Sequence, residues 1–307
     1  MRRISSQLNL KDYRSAIQLD QIYEWNYFHS LTDEERMEII GILVNQLADE
    51  SNIILNGERN VTYLEKRQLL RALLNVRAPK PLKFSLLQPL NRLLQAETYE
   101  KEIIKASSLK PVSETIPCTH VENMDKVVLW QGDITHLEID AIVNAANNQM
   151  LGCFEPLHLC IDNAIHSAAG PQLREDCQTI MRIQGERERT GEAKITRAYN
   201  LPSKFVLHTV GPIVPQGKMV NAKQQEELAS CYISCLELAS QVEDIKYIAF
   251  CAISTGVFGF PKKEAAEIAV NVVNEWLANH PNRFERIIYC VFSEEDYSEY
   301  VRAFQGK

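Results

Sequence analysis

Residues 140–171 read DAIVNAANNQMLGCFEPLHLCIDNAIHSAAGP. An apolar run, Ala141, Ile142 and Val143, leads straight into Asn144 and Asn147, which are separated only by alanines. Cys153, His158 and Cys160 follow in a stretch interrupted by Pro156, and Asp162 opens a helical pattern. The apolar run fits a buried strand, and polar groups gathered where a strand gives way to a helix are where open α/β sheets bind ligands. Three soft metal donors within eight residues, beside a carboxylate, point to chemistry as well as binding.

Outward from this stretch the chain alternates strand and helix. Strands are expected at 127–130, 141–143, 193–199, 205–209, 247–252 and 286–292, with helices at 162–169, 171–183, 222–242, 261–279 and 294–304. Such alternation predicts an α/β fold, a mostly parallel or mixed sheet with helices on both faces. The first hundred residues read differently. Thr32 with Glu35 and Thr62 with Glu65 form capping boxes ahead of leucine-rich helical repeats. Pro79, Pro81 and Pro89 then break the pattern before another helix at 90–100. This predicts a small all-helical N-terminal domain over 1–110, a Ser-, Thr- and Pro-containing linker at 105–120, and the α/β domain over 121–307.

The chain of 307 residues is long enough for two such units and a sizeable core. A net charge of −7 argues against nucleic acid as a partner, because nonspecific binding needs clustered cations. No run approaches the roughly 18 apolar residues of a membrane span, and MRRISSQLNLKDYRS lacks the apolar segment of a signal peptide. Eight cysteines are too few for a disulfide scaffold at this length and fit thiols in a reducing, cytoplasmic setting.

Individual motifs carry alternative readings. Gly132-Asp133-Ile134-Thr135 follows the first strand of the α/β half; its aspartate could accept from an exocyclic amine or simply fold an Asx turn. Ser254-Thr255-Gly256-Val257-Phe258-Gly259 lies between a strand and a helix, and its glycines could turn backbone N–H groups toward a phosphate. Cys153, His158 and Cys160, spaced C-x4-H-x-C, suit a Zn²⁺ ion with one open position, or else two packed thiols and a surface histidine. Cys177, Cys231, Cys235, Cys251 and Cys290 fall on element positions and read as core; His166 and His208 read as satisfied structural histidines. Asp162 could cap its helix or serve as a base.

Together the pieces resemble one family. GDIT (132–135), DAIVNAAN (140–147), IHSAAG (165–170), TGEAKIT (190–196), LPSKFVLHTVGP (201–212) and AISTGVFGFP (252–261) occur in the order found in macrodomains, three-layer α/β/α modules with a central mixed sheet that bind ADP-ribose. Where many macrodomain hydrolases have a glycine run and a Val-Asp pair, this chain has GCFEPLHLC (152–160) and Ile161-Asp162. That departure is similar to the zinc-containing macrodomains of bacteria and fungi, which also carry a helical N-terminal extension.

The resemblance implies one Zn²⁺ per chain at Cys153, His158 and Cys160. It implies Asp133 on the adenine amine, Ile134 and Phe292 at the adenine, and Asn147 on the distal ribose. Ser254, Thr255, Gly256, Val257 and Phe258 would wrap the diphosphate, with Phe258 against the distal ribose. Asp162 and Asn147 are the implied catalytic residues of a hydrolase that removes mono-ADP-ribose from protein side chains. Its implied partners are ADP-ribose and an ADP-ribosylated protein, by resemblance a lipoyl-carrier protein modified by a sirtuin. Two other readings share the pocket: a reader that binds ADP-ribose without cleaving it, and an O-acetyl-ADP-ribose deacetylase.

Overall fold

The computed structural model describes residues 8–54, 61–117 and 121–307. Its N-terminal third holds α1 (Leu10–Tyr13), α2 (Asp33–Glu50), α3 (Tyr63–Val76) and α4 (Phe84–Tyr99). Both capping boxes form: the Thr32 and Thr62 side chains accept from the N–H of Glu35 and Glu65, whose carboxylates return to the threonine N–H groups. One expectation fails here. Pro89 does not precede a helix but lies inside α4, which already begins at Phe84. The proline removes one N–H from an early turn, and the buried stripe of Leu86, Leu90, Leu93 and Leu94 holds the helix together across it.

The stretch expected to be a linker is ordered where it is described. β1 (Ile104–Lys105), a 3₁₀ turn at 106–108 and α5 (Val112–Thr115) follow one another, and Ala106, Val112 and Ile116 are buried in the core of the sheet. Ser, Thr and Pro content reads alike for a loose linker and a packed connector; the apolar residues between them decide. Residues 118–120, the end of that stretch, lie outside the described residues.

From there the elements are β2 (Val127–Gln131), β3 (Leu137–Glu138), β4 (Ala141–Ala146), α6 (Ile161–Ala169) and α7 (Pro171–Gln184). Then come β5 (Ala193–Arg197), β6 (Phe205–Val210), α8 (Ala222–Ser240), β7 (Tyr247–Phe250), α9 (Lys262–Asn279), β8 (Arg286–Val291) and α10 (Glu294–Gln305). Six strands make one sheet in the order β2-β8-β7-β4-β6-β5, parallel except for β5, which runs against β6. β1 and β3 form a separate parallel ladder of two residues each. Helices α6 and α7 pack together over β4 and β5, while α8, α9 and α10 pack side by side as the opposite layer. This is the three-layer mixed-sheet architecture the alternation predicts.

Apolar packing divides the N-terminal residues in two. Leu10, Tyr13, Ile17 and Leu19 belong to the core of the sheet, and the Tyr13 hydroxyl accepts from the Ile195 N–H at 3.1 Å. Helices α2, α3 and α4 instead share a core of their own, including Ile40, Leu43, Leu70, Leu73, Leu90 and Leu93. A polar network joins this bundle to the sheet. Gln95 Nε2 donates to Asn200 Oδ1 at 2.8 Å, and Asn200 Nδ2 donates to Asn91 Oδ1 at 2.9 Å, all three side chains being buried. Buried amides satisfied by one another in this way hold two surfaces in a single register. Among the described residues no helix is long and apolar enough to cross a membrane.

The strand order creates the site. After β4 the chain turns to α6 in one layer, and after the neighbouring β7 it turns to α9 in the other. Loops that diverge at adjacent parallel strands open a crevice at their carboxyl ends, where α/β sheets take ligands. The GDIT turn, Asn147, the cysteine loop, the glycine turn and Phe292 follow the carboxyl ends of β2, β4, β7 and β8, and Asn144 lies within β4 itself.

Candidate active site

Asp162 lies in the first turn of α6 and is buried, with 5 % exposure. Two asparagines from the end of β4 hold it: Asn144 Nδ2 donates to Oδ1 at 2.8 Å, and Asn147 Nδ2 approaches Oδ2 at 3.4 Å. Asn147 Nδ2 also donates to the Gly152 carbonyl at 3.1 Å, tying the start of the cysteine loop to the carboxylate. Burial pushes the Asp162 carboxyl up to about 6, and the Asn144 hydrogen bond and the positive charge of Arg174 oppose the shift. A carboxyl poised near neutrality suits a general base.

Behind Asp162 stand Asn144 and His208, to which the sequence alone gives no role in the chemistry. Asn144, fully buried, spends one amide proton on Asp162 and the other on His208 Nδ1, 3.2 Å away. His208 Nδ1 is therefore the acceptor, and its proton resides on Nε2, which lies 3.0 Å from Thr196 Oγ1. Burial drives His208 down to about 3, so the ring is neutral. His208 is the satisfied histidine the pattern predicts. His166 is not: neither ring nitrogen has a hydrogen-bond partner, and Nε2 stands 3.5 Å from Asp162 Oδ1, long for a hydrogen bond. Gly152 explains its confinement. At φ +79°, that glycine lies so close over the His166 ring that an added Cβ would sit 2.9 Å from its Cγ. The signal for Asn144 was available in the sequence, since an amide inside an apolar strand demands a buried partner.

Cys153, His158 and Cys160 converge. Their ligand atoms lie within 4.8 Å of one another, and Cys153 Sγ is 3.5 Å from His158 Nδ1. A tetrahedral ion with Zn–S near 2.3 Å and Zn–N near 2.0–2.1 Å puts such a pair about 3.6 Å apart, so the donor set fits zinc. Burial and the neighbouring Cys153 push the metal-free Cys160 thiol up to about 12, a shift a bound cation would reverse. Cys160 also caps α6, its sulfur accepting from the Asn163 N–H at 3.4 Å. A second grouping, His166, Cys177 and His208, is equally close but does not fit a metal, because Asn144 and Thr196 occupy both His208 nitrogens. The remaining candidates, Cys177, Cys231, Cys235, Cys251 and Cys290, are buried core residues as expected.

The glycine turn is held from within. Ser254 has φ +66° and is buried, its Oγ without a hydrogen-bond partner. Its carbonyl accepts from Phe260 N–H at 3.0 Å, and the Phe258 carbonyl accepts from Val214 N–H at 2.8 Å. Among the described residues no hydrogen bond engages the N–H groups of Thr255, Gly256, Val257 or Phe258. Strained backbone with free donors at a strand end is the arrangement that receives anions.

The other predicted residues follow β2, β7 and β8. Asp133 folds the Asx turn, its Oδ1 accepting from Thr135 N–H at 2.9 Å and Thr135 Oγ1 at 2.8 Å. Ile134 packs into the core of the sheet and offers no open side-chain surface. The Phe292 ring is 79 % exposed at the end of β8, an apolar face open to a flat ligand. Val257, 71 % exposed, rims the same edge.

Known proteins resemble this chain in sequence and fold. The Macro domain family profile matches residues 143–269. A Treponema medium protein named Protein-ADP-ribose hydrolase is 49 % identical over 236 residues, covering 77 % of this chain and 86 % of its own length. A Staphylococcus aureus protein of the same name is 45 % identical over 237 residues, 77 % of this chain and 84 % of its own. Among solved structures, the Trypanosoma brucei macrodomain in complex with ADP-ribose superposes with a TM-score of 0.56 at 30 % identity, covering 76 % of this chain and 94 % of that one. The chain belongs to the macrodomain family.

Proposed function

We propose that this protein is a zinc-dependent hydrolase that releases mono-ADP-ribose from modified protein side chains. One observation carries the reading: a buried carboxylate, Asp162, held by Asn144 and Asn147, stands two residues from a converged Cys153, His158 and Cys160 set at the crevice between β4 and β7. The hydrolase names of relatives at 45–49 % identity support the activity, and the ADP-ribose complex of a related macrodomain supports the ligand.

In this reading the free N–H groups of Thr255 to Phe258 receive the diphosphate, with no lysine required. Phe292 covers the adenine face, and Asp133, through its second carboxylate oxygen, takes the exocyclic amine. Asn147 orients the distal ribose while remaining tied to the Gly152 carbonyl. A zinc ion held by Cys153, His158 and Cys160 would supply Lewis acidity at an open fourth position. Asp162 accepts the proton of the attacking water, and the protein side chain leaves with the electrons of the broken bond. Asn144 keeps the carboxylate turned toward the crevice.

Turnover on two substrates separates this from its rivals. A mono-ADP-ribosylated protein should be processed with kcat/KM at least about tenfold above O-acetyl-ADP-ribose, because the wider substrate gains binding that can be used in the transition state. The reverse preference would make the protein a deacetylase; tight ADP-ribose binding with neither turnover would make it a reader. A lipoyl-carrier protein modified by a sirtuin is the first modified protein to compare, as the resemblance suggests.

A further inference from the structure

The metal loop is not held by the macrodomain alone. Between Cys153 and Cys160 its own bonding is sparse: the His158 N–H reaches the Glu155 carbonyl at 3.3 Å, and Leu157 adopts φ +58° despite its side chain. A leucine held in that left-handed region needs outside support. The support comes from α3. Asn75 Oδ1 accepts the Leu157 N–H at 3.1 Å, and Asn75 itself is buried, with 2 % exposure.

One further link reaches the loop from the same helix. Arg71 donates twice to Asn163 Oδ1, at 3.2 and 2.7 Å, and Asn163 Nδ2 donates to the Glu155 carbonyl at 3.2 Å. The carboxyl end of α3 is in turn gripped by Arg174, whose Nη1 donates to the carbonyls of Leu74, Asn75 and Arg77 at 3.1, 2.9 and 2.7 Å. The same guanidinium lies 4.5 Å from the ring centroid of Phe154, the residue after Cys153. A cation at a helix carboxyl terminus and over an aromatic face is favoured on both counts. The loop is thus fastened at Phe154, Glu155 and Leu157, all within the spacing that brings the metal donors together.

We propose that α3 of the helical extension is the outer clamp of the metal loop, with Arg71 and Asn75 acting as positioning residues for Cys153, His158 and Cys160. The proposal rests on the zinc reading above and gives the extension a role in metal affinity rather than in ADP-ribose recognition. Groups that orient ligands without touching the metal commonly control its affinity.

The test uses the full chain and measures zinc affinity by competition with a chromophoric chelator, alongside ADP-ribose affinity by calorimetry. Asn75→Leu removes the acceptor of the Leu157 N–H and should weaken zinc by about 10- to 100-fold, the usual range for such outer partners. Asn75→Asp keeps an acceptor oxygen and should stay within about threefold of the wild type, with ADP-ribose affinity of both variants changed by less than about twofold. Zinc affinity unchanged in a folded Asn75→Leu protein would overturn the proposal. If that variant fails to fold, Arg71→Met carries the test with the same expected pattern, and unchanged zinc affinity there would overturn it equally. A wild-type protein that takes up no zinc would remove the metal reading and the clamp together; zinc uptake indifferent to both variants would remove the clamp alone.

Discussion

Replacing Asp162 with alanine is expected to lower kcat on a mono-ADP-ribosylated protein by about 10²- to 10⁴-fold, the range associated with a positioned general base. ADP-ribose affinity should change by less than about threefold, since the proposed diphosphate and adenine contacts lie on other loops and would carry the uniform part of binding. The geometry supports the split. Asp162 is reached by Asn144 and Asn147 at one edge of the crevice, whereas the anion-receiving turn belongs to β7. Asp162→Asn is the sharper companion, because its amide oxygen can still accept from Asn144 while its basicity is gone. Single-turnover release and calorimetry on both variants check the expectation. Equal losses in turnover and affinity would make Asp162 a structural residue of the crevice.

Gly211→Ala should have the next largest effect, and on affinity. Gly211 follows β6, and a Cβ there would stand 1.9 Å from Ser254 Oγ and 3.0 Å from Ile253 Cγ2. Rotating the Oγ away would still leave Ser254 Cβ 3.3 Å from the new methyl, in a residue that is buried at φ +66° with its carbonyl engaged by Phe260. The methyl is therefore expected to press on the turn whose N–H groups are proposed to receive the diphosphate. Overpacking of this kind costs about 1–3 kcal/mol, and where that falls on the bound geometry ADP-ribose affinity drops by about 5- to 150-fold. The double variant Gly211→Ala with Ser254→Gly removes both the clash and the side chain at positive φ, and should recover most of the loss. Calorimetry on the single and double variants decides; unaltered affinity in the single variant would mean that the turn does not hold the ligand.

How much was legible in the sequence depended on how local each signal was. The main sheet and its helices were readable from 127 onward because apolar runs and amphipathic repeats alternate cleanly there, and its six strands fall within two or three residues of the expected ones, whereas the two-residue β3 was not expected. Pro89 misled because a local rule was outweighed by leucines packing at long range. The packing of Leu10, Tyr13, Ile17 and Leu19 into the core of the sheet leaves no trace in their own neighbourhood, since Tyr13 meets Ile195 and α1 packs on α7, both far along the chain.

The site divides the same way. Cys153, His158, Cys160 and Asp162 sit within ten residues, so their chemistry shows in their spacing. The Asn144–His208 pairing spans 64 residues and the Asn75–Leu157 hydrogen bond 82, so neither could be read from local spacing. A buried asparagine in an apolar strand or helix marks that a partner exists without saying where. His166 shows the complementary error: its apolar setting suggested a satisfied ring, whereas Gly152 seals it in with neither nitrogen hydrogen-bonded.

The most direct test of the central claim is release of ADP-ribose from a mono-ADP-ribosylated protein, followed before chelation, after chelation and after zinc is restored. The account predicts that release is lost on stripping and recovered with one equivalent of zinc per chain, while calorimetric ADP-ribose affinity moves by less than about tenfold throughout. Release that continues unchanged in the stripped protein would contradict it, leaving Cys153, His158 and Cys160 outside the chemistry.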